Sequence, residues 1–251
     1  MRGVRDESSV FQKVVLAVFG LPVLILILLP ICGLVERISL GALAQNLSSG
    51  VTLEALKLSL ISSVISSGLV VLLGTPVAVM IARSGKCSFL KGFVNLSLFV
   101  PPAVAGFGFL MVLGAGLGVK AVILAQFFVA TPYFIRAAAG SLGAVPGSLK
   151  EMVALEGGSG FQIFRHVTLP FVWRGFIGGA VMAWARALSE FGATLIFAGN
   201  IPGKTQTLPL AIFSNFEQGQ QQALVVALVL LAMALVLGTV ALGLQKPPKG
   251  A

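Results

Sequence analysis

The sequence predicts an all-α membrane protein of about six transmembrane helices, with one short helix on the cytoplasmic side between the fourth and fifth. Three observations predict it. Of 251 residues, 57% are hydrophobic and 10% charged, whereas a soluble domain carries about 25% charged residues. The charges punctuate long neutral runs near the roughly 20 residues that a helix needs to cross a bilayer core. The runs are continuously apolar and lack the alternation of barrel strands. In lipid only helices or closed barrels satisfy the backbone polar groups. A single transmembrane domain, 1–251, accounts for the chain and leaves no room for an added soluble enzyme domain.

The first span, 14–35, follows Arg2, Arg5 and Lys13. It has the length of a signal-peptide core, but no A-x-A cleavage site follows it. The second, 58–82, is led in by the amphipathic stretch Val51–Lys57 and closed by Arg83, Lys86 and Lys91. The third, 93–118, is broken near its start by Pro101 and Pro102. The fourth covers 119–139, the fifth 174–198 and the sixth 222–244. Ser59, Ser62, Ser63, Ser66, Ser67 and Gly68 crowd the second span, and Gly175, Gly178 and Gly179 the fifth. Small residues let helices approach closely, so tight packing is expected there; a serine stripe lining a pathway is the alternative. No internal repeat is evident, which disfavours inverted-repeat transporter plans.

Six spans put both ends on one side. With that side assigned to the cytoplasm, Arg37, Lys57, Lys120 and Lys204 fall outside, Arg186 falls within the fifth span, and the other 12 of the 17 Lys and Arg fall inside. The positive-inside rule then gives N-in and C-in. Residues 146–170 become cytoplasmic and Asn200–Gln222 external. Topology thus accounts for the net charge of +9. No basic cluster interleaves with aromatics, so no nucleic-acid partner is expected. Cys32 and Cys87 fall on opposite sides, which predicts no disulfide between them.

The cytoplasmic segment 146–170 is polar and rich in glycine. Pro146 and Gly147 break the fourth helix. Ser148 with Glu151 fits a capping box that starts a new one. Leu149, Met152 and Val153 share an apolar face, and Gly157, Gly158 and Gly160 are expected to end the helix. A helix of about two turns is too short to be stable alone. It needs a surface, either its own bundle or a partner.

Glu151–Pro170, EMVALEGGSGFQIFRHVTLP, resembles the signature of ATP-binding-cassette (ABC) importer permeases: E-A-A, three residues, G, nine residues, I-x-L-P. Glu151 fills the first position, Gly157 the glycine, Val167 the isoleucine, and Leu169–Pro170 match outright. Met152 and Val153 replace the two alanines. The resemblance implies a type I importer permease fold. It also implies that Glu151, Met152, Val153, Ala154, Leu155, Glu156, Gly157 and Gly158 form a coupling helix seated in a separate ATPase subunit. ATP and Mg would be bound by that partner, and this chain would bind no cofactor.

Ala185–Phe213, ARALSEFGATLIFAGNIPGKTQTLPLAIF, is similar to the oxyanion branch of those permeases. The R-A-x-x-E-[FY]-G core and the AGN-x-PGKT run are shared with sulfate permeases, and the continuation QTLPLAI resembles the molybdate type. This resemblance implies a subunit of a molybdate or tungstate importer in a prokaryotic inner membrane. Its implied partners are a second copy of the chain, two ATPase subunits and an extracytoplasmic oxyanion-binding protein. A sulfate or thiosulfate permease is the nearest alternative. An ion-coupled secondary transporter is another, and it would need an intramembrane carboxylate, for which Glu190 is the candidate.

Arg186 and Glu190 stand i, i+4 within a span and can pair. Charge in lipid is costly and faces a bundle interior. The pair is either a structural ion pair or a means by which Arg186 draws in a dianion. Thr194, Asn200, Lys204, Thr205, Gln206 and Thr207 complete the candidate pathway or interface set. AGNIPGKT has the letters of a phosphate loop, but a strand should precede that motif and a helix open directly from it. His166 receives no role, and no cluster suggests a metal or a catalytic site.

Overall fold

The computed structural model describes residues 15–39, 41, 43, 49–83, 88–218 and 220–245. Lys86 and Cys87, and the terminal Arg2, Arg5, Lys13, Lys246 and Lys249, lie outside the described residues, as does Val14 at the start of the first expected span. The described chain is helical, with no strand. In order, the helices are α1 (Leu21–Glu36, preceded by a π turn at Leu16–Gly20), α2 (Gly50–Arg83), α3 (Ser88–Leu96) and α4 (Pro102–Leu113). Then come α5 (Val119–Gly143), α6 (Gly147–Leu155), α7 (Gly160–Ile163), α8 (Leu169–Leu188), α9 (Gly192–Ala198), α10 (Leu208–Gln218) and α11 (Gln220–Gln245). Among the described residues, five helical segments are long and apolar enough to cross a membrane: Ala17–Glu36, Gly50–Arg83, Val119–Gly143, Gly160–Leu188 and Gln221–Gly243.

The third expected span, 93–118, is not one helix. It divides into α3 and α4 at residues 97–101. Pro101 and Pro102 cause the break, since neither has an N–H to continue the ladder. Pro102 begins α4, where a missing donor costs nothing. Gly114, Gly116 and Gly118 then take φ of +74°, +90° and +56° and end it. Twelve residues of α4 span only about 18 Å, short of a bilayer core of about 30 Å.

The fifth expected span, 174–198, also divides. Its helix runs from Gly160 through a π turn at Phe164–Thr168 into α8, stops at Leu188, and resumes as α9 after Ser189–Phe191. The π turn lies just before Pro170, whose ring nitrogen cannot donate to the preceding turn. The segment after α9 holds an unforeseen helix, α10, which packs on α2 and α11.

The core is made by α2, α5 and α8. Gly74 of α2 faces Phe134 of α5, where an added Cβ would sit 2.9 Å from the ring. Seven residues on, Ile81 shares a groove with Gly140, so α2 and α5 run parallel. On α8, an added Cβ would clash with Ser141 at Gly175 and stand 2.8 Å from the Ala137 Cβ at Gly179. Residue number rises along α8 as it falls along α5, so these two run antiparallel. Val70, Ala130, Phe134, Ala138, Ala183 and Ala187 fill the seam.

Two serines of α2 bridge to other helices. Ser59, Ser62, Ser63 and Ser66 are fully buried. Ser59 Oγ accepts from the Leu208 amide at 2.7 Å, tying α10 to α2. Ser63 Oγ accepts from Trp184 Nε1 at 2.9 Å, tying α8 to α2. By contrast α1 buries none of its residues within one chain.

Candidate functional site

Helix α6 is held on one side and open on the other. Leu149 and Val153 pack against the cluster of Val145, Val167 and Val172, while Met152 and Leu155 are 55% and 89% exposed. Val167, the isoleucine position of the motif, therefore anchors the helix to the bundle from the π turn.

The C-terminus of α6 is a Schellman motif. The Gly157 amide donates to the Ala154 carbonyl at 3.0 Å and the Gly158 amide to the Val153 carbonyl at 2.8 Å. This pair of bonds satisfies the carbonyls that a helix end leaves free. Gly157 has φ of +81°, the left-handed region that glycine enters without penalty.

The N-terminus differs from expectation. Pro146 is the N-cap, no side chain caps it, and Ser148 lies inside the helix. The predicted Ser148–Glu151 capping box is not formed. Pro146 holds the extended conformation of a cap and so starts the helix two residues too early for Ser148 to act. Gly160 also departs from expectation, because it opens α7 instead of ending α6. The capping box lies there: Ser159 Oγ accepts from the Gln162 amide at 3.4 Å, and the Ser159 amide donates to Gln162 Oε1 at 2.7 Å. The S-x-x-Q spacing carried that signal.

The break between α8 and α9 is built around Glu190. Its Oε2 meets Arg186 Nη2 at 2.7 Å, and its side chain is 1% exposed against 24% for Arg186. Its Oε1 accepts from the Ala193 amide at 2.8 Å, in the first turn of α9. One carboxylate thus neutralises a guanidinium and satisfies a free N–H at a helix start, where negative charge is favoured. Gly106 lets α4 close on this turn, with Ala193 O only 2.6 Å from where a Cβ would stand.

Beyond α9 the chain makes a fixed turn. The Ile201 carbonyl accepts from the amides of Lys204, Thr205 and Gln206 at 3.1, 2.9 and 3.0 Å. Thr205 Oγ1 accepts from the Ile201 amide and donates to the Gly199 carbonyl. Asn200 donates to Ser214 Oγ at 2.7 Å and accepts from Gln206 Nε2 at 3.0 Å. Thr205, Gln206 and Thr207 are buried and Lys204 is exposed. The hydroxyls of Thr194 and Thr207 are buried and, among the described residues, have no hydrogen-bond partner.

A family model described as the inner membrane component of binding-protein-dependent transport systems matches residues 71–246. This chain belongs to that family. It is 32% identical over 231 residues to a probable transport system permease protein, NifC, of Clostridium pasteurianum, covering 85% of this chain and 81% of the relative. It is 32% identical over 228 residues to the molybdenum transport system permease protein ModB of Mycobacterium tuberculosis, covering 84% and 86%. It is also 32% identical over 239 residues to the sulfate transport system permease protein CysW of Synechococcus elongatus, covering 87% and 83%. A chain of a bacterial ABC transporter involved in alginate import superposes with a TM-score of 0.67 at 15% identity, covering 96% of this chain and 100% of that one. That likeness is one of fold.

The permease keeps its candidate residues in two separate places. Glu151 to Gly158 lie on α6 and its cap, at the end of the bundle where α2 and α5 finish. Arg186, Glu190 and Thr194 form the α8–α9 break, and Asn200 to Thr207 form the turn after it. The sequence reading missed Ser214, which accepts from both Asn200 and Gln206. Also missed is the bond from the Ala193 amide to Glu190 Oε1, for which only Gly192 gave a sign.

Proposed function

We propose that this permease is the membrane subunit of an ATP-driven importer that moves molybdate or tungstate across a prokaryotic inner membrane. The observation that carries the ATP-driven part is α6: anchored by Leu149 and Val153, locked at Gly157–Gly158, and bare at Met152 and Leu155. A short rigid helix with an open apolar face suits a cleft in a separate ATPase subunit. Two copies of the chain would pair, each with its own ATPase, with both chain ends in the cytoplasm. Closure of the ATPases on ATP would pull the two α6 helices together and change which face of the pore is open. Such coupling requires contacts that differ between the two states.

The oxyanion part rests on the run Ala185–Phe213 and on the likeness to ModB. Within the permease, Glu190 offsets the charge of Arg186, so selection would lie mainly in an extracytoplasmic binding protein. The exposed tip of the turn, Ile201 to Lys204, would face that protein, with Asn200, Thr205 and Gln206 fixing its shape from beneath. Internal hydrogen bonds make the turn rigid, and a rigid surface docks at low entropic cost.

Equal identity to CysW favours one second reading, sulfate. Competition decides between them, measured as ATP-dependent molybdate uptake by proteoliposomes that hold the permease, its ATPase and its binding protein. Equimolar tungstate should inhibit strongly and equimolar sulfate weakly. The reverse order would assign the permease to sulfate, and uptake without the ATPase would assign it to ion-coupled transport.

A further inference from the structure

A groove of about 380 Å³ runs between the ends of α2 and α5 nearest α6 and is closed on one side by α3; its walls include Ile81, Ala82, Lys91, Asn95, Arg136 and Gly140. Among the described residues it holds two cationic side chains and an amide, and no acid lines it. Among the described residues, neither Lys91 nor Arg136 has a carboxylate within ion-pair distance. The cations are therefore available to an anion from outside the chain.

Helix α3 makes the groove two-natured. Val94 is buried in the core, and Lys91 and Asn95, one turn apart, face the groove beside Arg136. On the opposite side Phe89, Phe93 and Leu96, at i, i+4 and i+7, are 85%, 63% and 59% exposed. The Phe89 and Phe93 rings stack at 6.4 Å. Arg136 lies seven residues before the end of α5, about 10 Å along the helix axis, a depth from which a long side chain reaches the headgroup level. The chain thus offers a cationic cleft at the membrane surface and, on the same short helix, an uncovered aromatic stripe.

We propose that the α2–α3–α5 groove binds an anionic phospholipid of the leaflet on the α6 side. The phosphate would sit between Lys91 and Arg136, with Asn95 donating to it, while Phe89, Phe93 and Leu96 on the far face of α3 would set the helix against the acyl region of the leaflet. Basic pockets between membrane helices at the headgroup level bind anionic lipid headgroups. A free oxyanion would satisfy the two cations but has no use for the aromatic stripe. The site is separate from α6 and from the α8–α9 break, and it does not depend on which substrate the permease carries.

The test is native mass spectrometry of the full-length permease with its ATPase subunits, titrated with phosphatidylglycerol or phosphatidylcholine. One phosphatidylglycerol should be retained per permease chain, without phosphatidylcholine. A basic residue near a membrane surface contributes roughly a fivefold gain in affinity. Lys91→Gln should therefore weaken retention about fivefold, and Lys91→Gln with Arg136→Gln about 25-fold, while Lys91→Arg keeps it. Melting temperatures of the same samples establish that each variant is folded, and the single Lys91→Gln suffices if the double variant is not. Equal retention of the two lipids, or retention unchanged by Lys91→Gln, would overturn the proposal. Displacement of the lipid by millimolar molybdate would also overturn it and assign the groove to a free anion.

Discussion

The Gly158 amide donates to the Val153 carbonyl at 2.8 Å, and a Cβ on Gly158 would stand 2.5 Å from Val153 Cγ1. The cap of α6 and its inward-facing anchor are one contact. Gly158→Ala should push Val153 out of its packing and tilt α6. We expect ATPase association, measured by co-purification, to fall at least tenfold while the bundle still folds. Gly157→Ala acts differently, through a left-handed conformation that costs an alanine about 1–2 kcal/mol, and should loosen the cap with a smaller loss.

The two faces of α6 should separate by mutation. Met152→Ser and Leu155→Ser alter exposed side chains and should change stability by no more than about 0.5 kcal/mol, yet abolish ATP-driven transport. Leu149→Ala and Val153→Ala remove packing against Val145, Val167 and Val172 and should lower the melting temperature as well. Loss of stability in the Met152 and Leu155 variants would contradict an open docking face.

Breaking the Arg186–Glu190 pair should be costly in either direction. Removing one partner of a buried pair destabilises by about 3–5 kcal/mol. Arg186→Ala should be the worse, because it leaves a carboxylate that is 1% exposed without its counter-ion. Glu190→Gln should fall between wild type and Glu190→Ala, since an amide oxygen still accepts from Ala193. The ranking is read from thermal melting in detergent. A Glu190→Gln variant as damaged as Glu190→Ala would show that the helix-capping bond contributes nothing.

Close approach of α5 and α8 depends on Gly175 and Gly179. Gly179→Val should force the helices apart at Ala137 and cost about 1–3 kcal/mol, as overpacking does. Gly178→Ala, whose added Cβ would meet nothing within 4 Å, should be neutral. Melting curves of the two variants check both expectations.

The long apolar helices were legible because composition alone forces them: a run with no charge has no stable place except lipid. The breaks inside spans three and five were legible only where proline marks them. Pro101 and Pro102 announced one. Ser189–Phe191 announced nothing, because what replaces the lost backbone partners is the carboxylate of Glu190, and its reach to Ala193 is a tertiary fact. The capping error at Ser148 has a similar cause. Ser148–Glu151 and Ser159–Gln162 both match the box spacing, and the conformation of Pro146 decided between them. Helix α10 stayed hidden because its 11 residues mix apolar and polar types, and its footing, the bond from its first amide to Ser59, is 149 residues away in sequence.

At 34 residues, α2 is a rod of about 51 Å, some 20 Å longer than the bilayer core. Gly74, where it bears on Phe134, is 24 residues from its start, an arm of about 36 Å. A rocking of roughly 10° about that fulcrum would swing the far tip by about 6 Å. Since Ser59 fastens α10 to the same arm, a small displacement near α6 would be geared up into a larger excursion of the opposite surface.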